Sequence, residues 1–395
     1  MSELQAILAA YFASDEAAFL ATVVHTNGST YRRTGARSLI RVSGEMVGMV
    51  SGGCLEADIF AQTQQRMPDE KPILVTYDHT AAEDILWGFG LGCKGVVQVL
   101  IERLEQRDHL NPLTFIRDCF ERQASGAIAT VIHSSTVALG SRVLLPADGR
   151  FRHNIENAQL RSRILTDLRS ALHQRRPLVK TYSSAEVLIE PIHPPRSLLI
   201  FGAGLDAIPV MQFAKQLGWT VTIVDCRASE ATFERFSIAD QIILTRREKL
   251  AEQVPVNQQT IAVVMTHNYF DDLEILRMLL PRSILYIGAL GPKRRAESLL
   301  QDLKVAGIRY SNVQLEKLYA PIGLEIGAET PEAIALSILA EIQAVLSDRT
   351  GGHLKHRTGA IHDSDSALSP RLDGFSGGSL DPHENAQTVA THWGT

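Results

Sequence analysis

Leu198 to Arg227 read LLIFGAGLDAIPVMQFAKQLGWTVTIVDCR, and this stretch decides the fold class. An apolar run ends at Gly202-x-Gly204, helical spacing follows, and a second β-branched run closes on Asp225, about 20 residues further on. Strand, glycine turn, helix and strand in that order predict a Rossmann βαβ unit. Ala207 stands at the third glycine position and still permits close packing of helix on sheet. The two glycines would expose backbone N–H groups and a helix N-terminus to a phosphate or pyrophosphate, and Asp225 would accept a hydrogen bond from a ribose hydroxyl. An acid there repels a 2′-phosphate, so NAD is favoured over NADP. The same residues also fit a turn that binds nothing.

Downstream the alternation continues, with QIILT, TIAVVMTHN and SILYIGALG as strands and DDLEILRMLLP and RRAESLLQDLKVAG as helices. Continuous apolar strands alternating with helices mean a parallel sheet covered on both faces. His267 and Asn268 in MTHNYFDD, and Gly288, Gly291, Lys293 and Arg294 in GALGPKRR, fall at carboxyl ends of strands, where such sheets place ligands. Positive charge at a helix start opposes the helix dipole, which favours an anion beside Lys293. AETPEAIALSILAEIQAVL reads as architecture: Thr330 caps, Pro331 takes the first helical position, and Ile334, Ile338, Ile342 and Leu346 make an apolar stripe.

Upstream the texture is α+β. LQAILAAYFASDEAAFLATVV passes from helical spacing to β-branched, SLIRVSGEMVGMVSGG reads as two strands around a Ser-Gly turn, and short strands continue through SRVLLPADG, followed by the helix LRSRILTDLRSALHQRR. The proline-bearing EPIHPPRS is a connector. The expected organisation is an α+β domain over 1–193, a Rossmann-like domain with a doubly wound parallel sheet over 194–348, and a Gly-, Ser- and His-rich tail over 349–395 that lacks core spacing and is expected to be disordered. At 395 residues and 45% hydrophobic content the chain can bury two cores.

Composition excludes several classes. A net charge of −5 and no long Lys/Arg run argue against nucleic acid. Cys54, Cys93, Cys119 and Cys226 form no C-x-x-C pair, which argues against a zinc knuckle or disulfide framework and suits a reducing cytosol. No run of about 18 apolar residues and no signal arrangement is present, so a cytoplasmic protein without membrane attachment is expected.

MVSGGCLEADIF, Met49 to Phe60, sets Cys54 after Gly52 and Gly53, which let a ligand approach the main chain. Cys54 is either a small buried filler or a ligand contact, and Cys93 in GLGCKG has a similar setting. Cys119, inside FIRDCFERQ, reads as packing. GSTYRRTGARSLIRVSGEMVGMVSGGCLEADI, GFGLGCKGVVQVLIERL, the Leu198 stretch, MTHNYFDDLEILRMLL, YIGALGPKRR and APIGLEIGAETPEAIALSILAEI together resemble, in order, the XdhC/CoxI family of accessory proteins for molybdenum hydroxylases such as xanthine dehydrogenase. The resemblance spans about residues 15 to 345. It implies a factor without turnover of its own that binds molybdenum cofactor, shields it during sulfuration by a cysteine desulfurase, and delivers it to an apo-hydroxylase. On that reading Cys54 offers its sulfur to molybdenum, with a thiol pKa lowered by a basic cluster of Arg32, Arg33 and Arg37. The arginines would also hold the pterin's phosphate, Glu56 would accept from the pterin's N–H groups, and Ser51 would line the same loop. Lys94 and Leu205-Asp206 depart from the family pattern and leave open the mononucleotide or dinucleotide form. A homodimer also stays open. The alternative is an NAD-dependent oxidoreductase or nucleotide-responsive sensor, with His267 as its acid–base group.

Overall fold

The computed structural model describes residues 2–65, 71–78, 95–174, 176–227 and 231–358. Cys93, Lys94 and the tail beyond 358, for which disorder was the expectation, lie outside the described residues. The chain to Asp348 is one compact unit, and Arg349 opens a second.

The N-terminal half builds two five-stranded antiparallel sheets. In the first, Ala18–Gly28 is central, with Arg37–Arg41 and Met46–Gly48 on one side and Gly95–Leu104 and Ile73–Asp78 on the other. In the second, Gly126–Ser134 is central, with Arg142–Pro146 and Arg152–His153 on one side and Ala185–Ile192 and Leu178–Tyr182 on the other. A helix precedes each central strand, Glu3–Phe12 or Pro112–Glu121, and another joins the third strand to the fourth, Glu56–Gln65 or Ala158–Ala171. The registers correspond as well. Thr22 pairs with Arg37 as Thr130 pairs with Arg142, and the ladder to the last strand skips Val24 in one sheet and Ile132 in the other. The half is therefore an internal duplication, which the sequence reading did not find.

Period-two alternation places the sheets. Leu20, Leu39 and Leu104 pack with Ile128, Leu144 and Ile192 in one core shared by both sheets. The alternate residues Phe19, Ala21 and Val23 pack with Ile59 of one helix, while Ala127, Ala129 and Val131 pack with Ile164 and Leu168 of another. Two ion pairs cross between the repeats. Arg37 donates to both oxygens of Glu190 at 2.9 Å, with side chains only 7% and 3% exposed, and Arg142 pairs with Glu102 in the reciprocal sense. Each arginine opens the second strand of its repeat, and each glutamate lies two residues before the end of the last strand.

From Ser197 the chain builds one six-stranded parallel sheet, ordered Gln241–Leu244, Thr220–Asp225, Ser197–Phe201, Thr260–Val264, Tyr286–Ala289, Leu318–Tyr319. This is the doubly wound 3-2-1-4-5-6 order, and its direction reverses between Ser197–Phe201 and Thr260–Val264. Helices Ala207–Gln216 and Pro331–Leu346 cover one face, and Tyr269–Leu279 and Lys293–Val305 the other. Thr330 caps the last helix through the Ala333 N–H, Pro331 follows it, and Ile338, Ile342 and Leu346 are buried. Boundaries moved where a cap or turn intervened. The helix expected from Asp271 starts at Tyr269 because the Asn268 side chain accepts from the N–H groups of Phe270 and Asp271. The two-residue strand Leu318–Tyr319 was not anticipated. Among the described residues no helix is long and apolar enough to cross a membrane.

Candidate functional site

The segment from Val50 to Glu56 is a hydrogen-bonded bend leading into helix Glu56–Gln65. The Glu56 carboxylate accepts from the N–H groups of Val50 and Ser51 at 3.2 and 2.9 Å and from the Ser51 hydroxyl, whose oxygen in turn accepts from the N–H groups of Gly53 and Leu55 at 3.1 Å. Burial pushes the Glu56 carboxyl up, but the Ser51 hydroxyl and the surrounding backbone N–H groups outweigh it and hold the group below its ordinary value. Glu56, expected at the pterin N–H donors, has both carboxylate oxygens engaged within the loop. The network presents Gly52, Gly53 and Cys54. Gly53 has φ +110 and open space where a side chain would stand, while Gly52 lies under the Tyr31 ring, 3.5 Å from where its Cβ would be. Glycine at 53 answers both to the left-handed backbone and to the open approach.

Cys54 is half-buried and lines a small pocket of about 40 Å³ with Tyr31, Arg32 and Ser51. Tyr31 and Arg32 also line the neighbouring cleft of about 450 Å³, together with Arg33 and the start of the first helix. Tyr31 is 64% exposed. Glu3 ties this wall together: one carboxylate oxygen pairs with Arg32 and the other accepts from the Met49 N–H at 2.9 Å. Arg33 is exposed and makes no ion pair among the described residues. Arg37, expected at a phosphate, lines the cleft with its backbone neighbours and pairs its guanidinium with Glu190. The structure thus brings together Cys54, Ser51, Gly52, Gly53, Arg32 and Arg33. It adds Tyr31 and Glu3, which the sequence reading did not single out. An aromatic among arginines in TYRR was the available signal for Tyr31; nothing in the sequence pointed to Glu3.

The Rossmann residues gather elsewhere. Gly202 has φ +116, and a Cβ there would stand 2.5 Å from the Met265 carbonyl oxygen, so only glycine lets the two loops approach. Gly204 lies beneath the Asp206 carboxylate, whose Oδ2 is 2.7 Å from Nε2 of His267. Asp225 is buried and accepts from the Arg227 N–H and the Thr232 hydroxyl, so the acid expected to meet a ribose is turned inward. The Asn268 side chain caps its helix. Gly288 is packed under Ile322 within the sheet and does not face a ligand. Gly291 has φ +131, and Lys293 is exposed at the start of its helix.

These two sets stand at opposite edges of the parallel sheet. Gly218, between helix Ala207–Gln216 and strand Thr220–Asp225, packs against Ser2, which caps the helix carrying Glu3 into the cleft. The cleft therefore adjoins the amino-terminal edge. Gly202, Gly204, Asp225 and His267 lie at carboxyl ends of strands, about 20 Å away along six residues.

A duplicated antiparallel half that presents a pocket lined by Cys54 and Arg32, followed by a Rossmann sheet, defines a two-part α/β protein. Residues 12–78 match the model described as the XdhC and CoxI family, and residues 198–342 match the XdhC Rossmann domain. A Bacillus subtilis protein described as a probable xanthine dehydrogenase subunit is 33% identical over 87% of this chain and 97% of its own length. The molybdenum cofactor insertion chaperone PaoD of Escherichia coli is 22% identical over 84% of each chain. A crystal structure described as a xanthine dehydrogenase from Bacillus halodurans, 29% identical, superposes with a TM-score of 0.73 over 89% of this chain and 97% of that one. The chain belongs to the XdhC and CoxI family.

Proposed function

We propose that this chain is a maturation factor that binds molybdenum cofactor in the Cys54–Arg33 cleft and inserts it into a xanthine dehydrogenase-type hydroxylase. Family membership and the likeness to PaoD support a maturation role. The observation that carries the site is that two neighbouring cavities sharing Tyr31 and Arg32 hold, one, a half-buried thiol and, the other, an arginine free of ion pairs among the described residues, with the exposed aromatic ring between them. Each part suits one part of the cargo. Arg33 offers charge-assisted hydrogen bonds to the terminal phosphate. Tyr31 offers a flat face to the pterin ring. Cys54 offers a sulfur to molybdenum, which is soft enough to accept it. A cysteine desulfurase is the partner that would supply sulfur to the bound cofactor.

Reconstitution tests the reading. The purified chain is expected to retain molybdenum together with pterin fluorescence and to restore activity to an apo-hydroxylase. Cys54→Ser is expected to lower that restoration while leaving the thermal midpoint unchanged, because the side chain is nearly isosteric and outside the tightest packing. Equal restoration by the variant would remove Cys54 from the mechanism, and nicotinamide absorbance in place of molybdenum would favour the oxidoreductase alternative.

A further inference from the structure

The crevice at the reversal of the parallel sheet lies between the loop after Ser197–Phe201 and the loop after Thr260–Val264. Sheets of this order take a dinucleotide there, with the pyrophosphate over the second glycine, whose missing side chain lets it approach. In this chain that space is filled from within. The first atom a side chain on Gly204 would strike is Oδ1 of Asp206, so the carboxylate is folded over the glycine. Its other oxygen reaches Nε2 of His267, which belongs to the loop on the far side of the crevice and holds a left-handed backbone at φ +58. Asp206 makes no side-chain cap bond to its own helix, yet its charge stands at that helix's N-terminus, where a phosphate would sit.

We infer that Asp206 is the built-in occupant of this phosphate seat and that its bridge to His267, spanning the switch point, shuts nucleoside diphosphates and dinucleotides out of the Rossmann half. Two effects act together. A phosphate would have to displace the carboxylate from the space over Gly204, and the displaced carboxylate would still repel it at short range. Asp225 contributes independently: both its oxygens are engaged and it is 3% exposed, so no acid waits on the surface for a ribose.

The test is a gain of binding. The full chain is titrated calorimetrically with NAD and with ADP, and wild type is expected to give no saturable binding at millimolar ligand. Asp206→Ala clears the seat and is expected to bind ADP saturably, with a dissociation constant roughly ten- to a hundred-fold below the millimolar limit that wild type does not reach. Asp206→Asn removes the charge and keeps the bulk, so its gain is smaller, and it decides the matter if the alanine variant does not fold. His267→Ala unlatches the carboxylate and gives a gain below that of Asp206→Ala. Micromolar binding of NAD or ADP by wild type overturns the inference, as does a folded Asp206 variant, checked by its thermal midpoint, that binds no better than wild type.

Discussion

At the scale of single residues, Arg32 and Arg33 show how adjacent identical side chains acquire different work. Neighbours in an extended segment would face opposite ways, but this segment is a loop between two strands, and what separates the pair is a partner. Arg32 is held by Glu3 and so braces the first helix against the Met49 loop, whereas Arg33 remains exposed on the cleft. Arg33→Ala is therefore expected to weaken molybdenum cofactor binding about tenfold, the low end for a charge-assisted bond at a solvent-reached site, with no change in thermal midpoint. Arg32→Ala is expected to do the reverse, lowering stability by up to about 1 kcal/mol with little effect on binding. Titration and thermal denaturation of both variants check the pair, and equal dissociation constants for Arg33→Ala and wild type would place the phosphate elsewhere.

At the scale of elements, the two repeats are locked by charges exchanged across their shared core. Removing one partner of such a buried pair leaves the other desolvated and alone, while replacing both by apolar groups leaves nothing unpaired. Glu190→Gln is expected to cost roughly 3–5 kcal/mol in urea unfolding, and Arg37→Met combined with Glu190→Met is expected to cost distinctly less. A double variant as unstable as the single one would mean that the pair is not coupled. The comparison of repeats also explains where the cleft lies. The first repeat carries SGGC between its third strand and its helix and a longer connection between its first two strands, holding Tyr31 to Gly35; the second repeat has shorter links at both places. The same framework thus carries the Tyr31 and Cys54 loops in one copy and shorter links in their place in the other.

At the scale of the molecule, the cleft and the Rossmann loops are separated by the length of the parallel sheet. Groups that far apart with no shared partner act independently to a good approximation. His267→Ala is expected to leave the affinity for molybdenum cofactor within about twofold of wild type, in contrast to Arg33→Ala. A tenfold loss in a direct titration of His267→Ala would mean that one ligand, or a second copy of the chain, connects the two edges.

The sequence by itself determined most of the elements, the alternation of strand and helix in the Rossmann half and the family, because these rest on periodicity, glycine turns and motif order within short windows. The stretch from Leu198 to Arg227 needed no distant contact to be read, and neither did the Thr330-Pro331 helix start. The sequence also marked Cys54 and its glycines, since a turn announces itself locally. Only the tertiary structure decided what each polar side chain is for. Arg37 lies 153 positions from Glu190, and Asp206 lies 61 positions from His267. A guanidinium or carboxylate reads the same in sequence whether it faces a ligand or is cancelled by its own chain. The duplication escaped for a related reason: strand pairing, register and a shared bulge are preserved by backbone geometry and buried alternation, which many unlike sequences satisfy.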